Sequence, residues 1–335
     1  MHARLYAARA GIRKQCAEGL LHAAGALRLA RPNRYASCQL RGFTGRGRIV
    51  VNDPSPSITV EQIQALPTLP SVLTRILSTV ADPESSALDL ASHIAADQAL
   101  TATLLRIVNS AYYGFKREIA GIADAIVILG FIEVRNLALA ATTFDVFPNS
   151  GSGYDRVQLW RHSLAVAIAS DRCARAARLV NPDTYFVAGL LHDIGKVVFD
   201  VLYPGRYPAA VAHAQKQGLR VIEMERQCFG CDHTTLGAAL SMHWNLPRLI
   251  SASIREHHAA ETDLTVPDCA KIVALANCAA SEAGLGQTRS GTVPLLSMDS
   301  TQALGISPEK LREIGVELRQ AAPRIDALLG VFPKE

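Results

Sequence analysis

Residues 189–199 read GLLHDIGKVVF. Leu190, Leu191, Ile194, Val197 and Val198 follow an i, i+1, i+4, i+7, i+8 spacing, which is one buried face of a helix and not the alternation of a strand. His192 and Asp193 flank that face, and Lys196 lies one helical turn beyond His192. A histidine beside an apolar stripe is ordinarily a core residue with its hydrogen bonds met. The neighbouring carboxylate alters the balance, because burying Asp193 is costly unless a cation or several donors meet it. Two readings stand for the doublet: a metal or anion site, or a structural hydrogen-bonded pair. Lys196 also has two, a solvated helix residue or a phosphate contact.

The helical spacing extends in both directions. On the N-terminal side, PTLPSVLTRILSTVAD has apolar positions 69, 72, 73, 76, 77 and 80 and is stopped by Asp82-Pro83. A second helix is expected over 85–96, with Leu88, Leu90 and Ile94 as its apolar positions, and a third over 100–115. Residues 122–144 read as one or two helices with Gly130 near a turn. Asn109 has the amide to secure a helix end or loop, and Tyr112, Tyr113 and Phe115 read as lobe-packing aromatics or a partner contact. On the C-terminal side, VQLWRHSLAVAIASDRCARAARL, a helix around 207–217, LPRLISASIREHH and CAKIVALANCAASEAGLG continue the pattern. Ser307-Pro308 caps a last helix. Strands are nowhere persuasive, and an aromatic content of 6% agrees with helix over sheet, so the expected class is all-α.

Composition divides the chain. VNDPSPS (51–57) and PNSGSGYD (148–155) have linker character. The expected organisation is a basic leader and linker over 1–58, a first helical lobe over 59–147, a second over 155–285, and a loop and helical tail over 286–335. Residues 1–50 hold ten Lys/Arg against one acid, Glu18, for a charge of +9, so the net +4 of the whole chain leaves the body at −5. The leader reads as a disordered basic arm, an organelle-type targeting peptide, or residues upstream of the true start. An acidic body gives nucleic-acid binding no electrostatic support. No apolar run is long enough to cross a bilayer. Seven irregularly spaced cysteines without a secretory signal suggest free thiols in a reducing compartment, hence the cytoplasm. Cys228-Phe-Gly-Cys231 is the lone CxxC, read as incidental loop cysteines.

The remaining histidines carry the argument further. His162 sits mid-helix, His233 follows a loop ahead of a helix, and His257-His258 close another helix. Imidazoles with a carboxylate suit divalent first-row metals, and helical bundles build such sites from facing side chains. The order His162, His192-Asp193, His233, His257-His258 resembles the HD superfamily of metal-dependent phosphohydrolases. The surrounding words LPTLPSVLTRIL, DQALTATLLRIVNSAYYGF, AIVILGFIEVRNLAL and GCDHTTLGAALSMHWNLPRLISASIREHH are similar to the HDOD (HD-related output) domain of bacterial signalling proteins, over roughly 60–280. The resemblance implies an HD-domain-like helical bundle in two lobes. It also implies a divalent metal (Fe, Mn, Zn or Ni) on His162, His192, Asp193, His233, His257 and His258. Asp193 and Lys196 are the catalytic residues if the site is active.

Departures from the catalytic pattern set the functional expectation. Where the cyclic di-GMP phosphodiesterases of the superfamily carry a Gly-Tyr-Pro loop after His-His, this chain has AAETDLTVPD. The final Asp ligand of the superfamily corresponds to Asn277, and an upstream carboxylate of some relatives to Gln158. The expectation is a stand-alone HDOD signalling module working through protein partners, with a degenerate site that binds metal without efficient hydrolysis, and with a nucleotide as a further candidate ligand. The competing expectation is a metal-dependent phosphohydrolase acting on a nucleotide, cyclic dinucleotide or other phosphate ester.

Overall fold

The computed structural model describes residues 58–331, apart from Pro83, 148–150, Thr262, Leu264 and 287–297. The basic leader, the 51–57 linker and the Pro/Ser loop of the tail lie outside the described residues. Within them the regular structure is helical, as the apolar spacing predicts.

The first lobe follows from short amphipathic helices with polar caps. Helix α1 (Val60–Gln64) opens on a Thr59 capping box. Helix α2 (Ser71–Ala81) buries Val72, Leu73 and Ile76. Helix α3 (Ala87–Ala95) is capped by Ser86 and buries Leu90 and Ile94, while Leu88 faces solvent, contrary to its expected place on the apolar face. Helix α4 (Gln98–Val108) ends earlier than the sequence suggests. Asn109 is the reason: its amide donates to the Ile119 carbonyl at 2.9 Å and its oxygen accepts from the Ile119 N–H at 2.8 Å, folding 109–119 into a closed loop. Tyr113 packs in that loop and donates to Glu133, whereas Tyr112 and Phe115 remain exposed. Gly130, at φ +90, separates α5 (Ile122–Leu129) from α6 (Phe131–Asp145).

The second lobe is organised on α7 (Arg156–Ala176), whose Ala165, Ala167 and Ala169 are fully buried. These small side chains let α8 (Pro182–Leu191) lie close, and a Cβ on Gly189 would stand 2.7 Å from the Val166 carbonyl oxygen. Helix α9 (Ile194–Leu202) follows after a break at the His-Asp doublet. The sequence places 189–199 on one continuous helical face; the chain instead turns at 192–193, and both helices bury their apolar residues on either side of the corner. Then come α10 (Arg206–Gln217), α11 (Val221–Phe229), α12 (His233–His243), α13 (Arg248–Glu256) and α14 (Asp268–Glu282). Helix α15 (Met298–Ala303) and the Ser307-capped α16 (Pro308–Leu329) complete the chain, and α16 packs along α7.

One apolar cluster runs through both lobes. Phe144 stacks on Trp160 across the joint at 4.5 Å, and the Trp244 indole N–H donates to the Pro67 carbonyl at 2.9 Å. The joint is also strapped by charge. Buried Arg156 gives Nε to Asp200 Oδ2 on α9 at 2.6 Å and Nη1 to the Phe147 carbonyl at 2.8 Å, and Ser152 also donates to Asp200.

Helices α9 and α12 meet at two glycines. A Cβ on Gly195 would overlap the His233 carbonyl and stand 2.7 Å from the Gly237 nitrogen, so backbone rather than a flexible side chain stands in its way. Gly195→Ala is expected to lower the unfolding free energy by about 2–3 kcal/mol, read from urea denaturation. Gly315→Ala in α16, whose Cβ would meet only the end of Arg319 at 3.9 Å, is the control expected to lose nothing.

Candidate metal centre

Five elements converge on Asp193. Helix α7 brings His162, the α8–α9 corner brings His192 and Asp193, the first residue of α12 is His233, and the end of α13 supplies His257 and His258. The corner has a local cause. Asp193 is the N-cap of α9 yet makes no capping hydrogen bond. An N-cap aspartate normally accepts from the helix N-terminal N–H groups. Here the carboxylate is turned into the lobe interior.

What it meets there is a ring of imidazole Nε2 atoms. His192 and His162 approach Oδ2 at 3.3 and 3.9 Å, and His233 and His257 approach Oδ1 at 3.2 and 3.8 Å. Lys196 Nζ pairs with Oδ2 at 2.6 Å. The carboxylate is 2% exposed and His192 is fully buried.

The outer nitrogens explain why the inner ones point inward. Nδ1 of His162, His192 and His257 faces the carbonyls of Leu285, Gly189 and Ile254 at 3.1, 2.8 and 2.9 Å. A carbonyl only accepts, so each Nδ1 carries a proton and each Nε2 is the atom turned to the centre. His233 Nδ1 donates to Glu225 Oε2 at 2.6 Å, and His258 Nδ1 donates to Glu261 Oε1 at 2.7 Å. Metal-binding histidines are typically held by just such outer acceptors.

His162 and His257, whose protonation burial opposes, therefore turn Nε2 lone pairs toward a carboxylate. Although the ion-pair distances are short, Nε2 of His192, His233 and His257 and Oδ1 of Asp193 are buried and without hydrogen-bond partners. Proximity without alignment is what results when two acceptors are aimed at the same space. Protonating the rings would relieve the conflict, but burial, with His192 nearby, pushes His162 down to about 3, and burial holds His257 and His258 well below their usual range. Burial alone would raise Asp193, yet His192 and Lys196 outweigh it and hold the carboxyl well below the ordinary carboxylate range. A cation among the lone pairs resolves the arrangement, and the residues fit one. His162, His192 and Asp193 form one group with donor atoms within 4.8 Å of one another, and His233, His257 and His258 form a second. These groups could hold a divalent metal.

The chain is similar to known proteins. The HDOD domain model matches residues 66–260, more than half of the chain. The chain belongs to the HDOD domain family. An HDOD domain protein of Geobacter sulfurreducens aligns with a TM-score of 0.66 at 26% identity, covering 82% of this chain and 98% of that one. A Marinobacter aquaeolei VT8 protein provisionally assigned to signal transduction gives 0.67 at 22%, covering 82% and 61%. A Shewanella amazonensis SB2B protein provisionally assigned to the phosphohydrolases gives 0.63 at 22%, covering 82% and 97%. The last two likenesses are of fold. A protein of Treponema pallidum (strain Nichols) is 28% identical over 200 residues, 59% of this chain, and the chain spans 38% of that relative's length. Among the described residues no helix is long and apolar enough to cross a membrane.

All six histidine and aspartate positions singled out in the sequence meet in this HDOD centre, and Lys196 joins them as the partner of Asp193. Gln158 is exposed on the first turn of α7, and Asn277 is half-buried on α14. Cys228 and Cys231 are buried, and burial pushes Cys231 up to about 12, which keeps it a thiol. Three supporting residues escape sequence reasoning. Glu225 accepts from His233 Nδ1, from the His233 N–H at 2.9 Å and from the Tyr207 hydroxyl at 2.8 Å. Its signal is an acid on the apolar side of α11, eight residues before His233. Glu261, also paired with Arg220, comes from the AAETDLTVPD segment that follows His257-His258. Asp232 caps α12 through the Thr235 N–H and so orients His233 beside it.

Glu225→Ala leaves the buried His233 Nδ1 and Tyr207 hydroxyl without acceptors and is expected to cost about 3 kcal/mol or more in urea denaturation, with Glu225→Gln costing less. The buried neutral rings also set a pH dependence for the metal-free protein. Below the ordinary 6.5 an unfolded chain binds protons that folded His162, at about 3, refuses, and His257 and His258 add in the same direction. Stability is complete above 6.5 and falls as pH drops from there toward 3. Urea midpoints of chelator-treated protein should decline between about pH 7.5 and 5.

Proposed function

We propose that this HDOD protein is a regulatory module that acts by contact with signalling partners, and that its HD centre holds a divalent metal as a structural or gating element without efficient hydrolysis. The burial of the centre supports this reading best. Asp193 and four of the histidines are almost wholly enclosed, with His258 the most open of the rings at 18% exposure of its side chain. A phosphate ester has little access to such a centre. Asn277, in the position of a carboxylate in catalytic relatives, lowers the negative charge available to hold two cations.

The residues would divide the work as follows. His162, His192 and Asp193 would hold one cation, and His233, His257 and His258 could complete its sphere or hold a second. A bound divalent cation acidifies a ligated water and polarises a phosphoryl oxygen. Lys196 neutralises Asp193 and fixes its rotamer, while Glu225 and Glu261 hold the Nδ1 protons of His233 and His258.

A metal-dependent phosphohydrolase acting on a nucleotide or cyclic dinucleotide is the second reading. It is favoured by the two donor groups lying side by side, with His192 and His257 rings 5.0 Å apart and Asp193 between the groups.

Metal content of the purified full chain and turnover of a nucleotide and cyclic-dinucleotide panel with Mn²⁺ and Fe²⁺ separate the two. The expected result is bound divalent metal, lost in Asp193→Ala, with no turnover approaching the ordinary enzymatic range of about 1–10³ per second. Turnover in that range, abolished by Asp193→Ala in protein whose helical circular dichroism is unchanged, would overturn the regulatory reading. Metal-free wild-type protein would remove the metal from both.

A further inference from the structure

Asp193 stands between the two donor groups, and its two oxygens are not equivalent. Oδ2 faces His192 and His162 and already holds Lys196 Nζ at 2.6 Å. Oδ1 faces Nε2 of His233 at 3.2 Å and of His257 at 3.8 Å, and it is buried without a hydrogen-bond partner. Inward nitrogens do not separate the two sides, because Nε2 of His192 is as unpartnered as those of His233 and His257. Charge does. A divalent cation on the Oδ2 side meets a resident ammonium group at the oxygen it would share, and at that range the repulsion is only partly screened. On the Oδ1 side no ammonium stands in the way.

The groups behind the rings point the same way. His162 and His192 rest their Nδ1 atoms on the Leu285 and Gly189 carbonyls, which carry no net charge. His233 rests instead on the Glu225 carboxylate, which is buried. Among the described residues Glu225 meets no Lys or Arg; its donors are the His233 ring and N–H and the Tyr207 hydroxyl. An enclosed carboxylate of this kind favours positive charge nearby, and it raises the basicity of the ring that it holds. Glu261 behind His258 adds less, because Arg220 already meets it at 2.7 Å.

We propose that the two groups fill in a fixed order. The first divalent cation binds on the Oδ1 side, at His233, His257, His258 and Asp193, with Glu225 as its buried counter-charge. Lys196 holds the His162–His192 side to a weaker second place. Lys196 and Glu225 are then positioning residues that set the order of filling. The inference rests on the reading that the HD centre holds a divalent metal.

Titration of the metal-free full chain with Co²⁺, followed by visible absorption against a competing chelator, tests it. The wild-type chain is expected to bind a first Co²⁺ at least about tenfold more tightly than a second. His233→Ala should remove the tight equivalent, and His162→Ala should leave it. Glu225→Gln should weaken the first equivalent about 10–100-fold. Lys196→Met should strengthen the second by about tenfold or more, and the first by less. Lys196→Met alone decides the matter if helical circular dichroism shows that the other variants do not fold. A wild-type chain that binds no Co²⁺ removes the metal and this order with it. A tight equivalent lost in His162→Ala but kept in His233→Ala, or a second equivalent unmoved by Lys196→Met, overturns the order alone and leaves the metal standing.

Discussion

A single buried carboxylate organises the second lobe. Asp193 lies where four imidazoles direct their Nε2 atoms, with Lys196 paired to the same carboxylate. Leaving acceptors to face acceptors in a dry interior is unfavourable, and the fold accepts it at the corner between α8 and α9. At that corner the Asp193 side chain does not cap its own helix. The tight approach of α9 to α12 through Gly195 and Gly237 then brings His233 within reach of the same carboxylate.

The arrangement is kept in place from outside. Each histidine of the centre is fixed at Nδ1, three by backbone carbonyls and two by carboxylates. Carbonyl acceptors are supplied by helix ends, where backbone oxygens lack intrahelical partners. Gly189 near the end of α8 and Ile254 near the end of α13 serve in this way, so the helix termini that expose polar backbone also set the tautomers. The carboxylate acceptors, Glu225 and Glu261, come from segments with no ligand of their own.

Much of this was legible in the sequence, and the gaps have physical causes. Apolar spacing identified the helices because burial of one face is a local, periodic property; Gly130 marked an end through its positive φ and Ser307 through its capping hydroxyl, which are local too. His192 and Asp193 were legible because a histidine-aspartate pair within an apolar run is costly and therefore informative, and His162, His233, His257 and His258 through the order that resembles the HD superfamily. Leu88 misled, since an apolar residue carries no sign of which side of a short helix it occupies. The continuous helix expected over 189–199 failed because periodicity survives a corner when both arms bury the same face. Glu225 and Asp200 were missed because a buried acid is identified by its partner, and Tyr207, His233 and Arg156 are distant in sequence.

Arg156 and Asp200 lead to one more consequence. Asp200 stands on α9, one turn beyond Lys196, and its guanidinium partner also holds the Phe147 carbonyl at the end of the first lobe. The helix that begins with Asp193 is thus moored at its far end to the joint between the lobes. Swinging one lobe against the other would tug on α9 along its axis, so the HD centre and the relative posture of the lobes form one mechanical train rather than two independent parts.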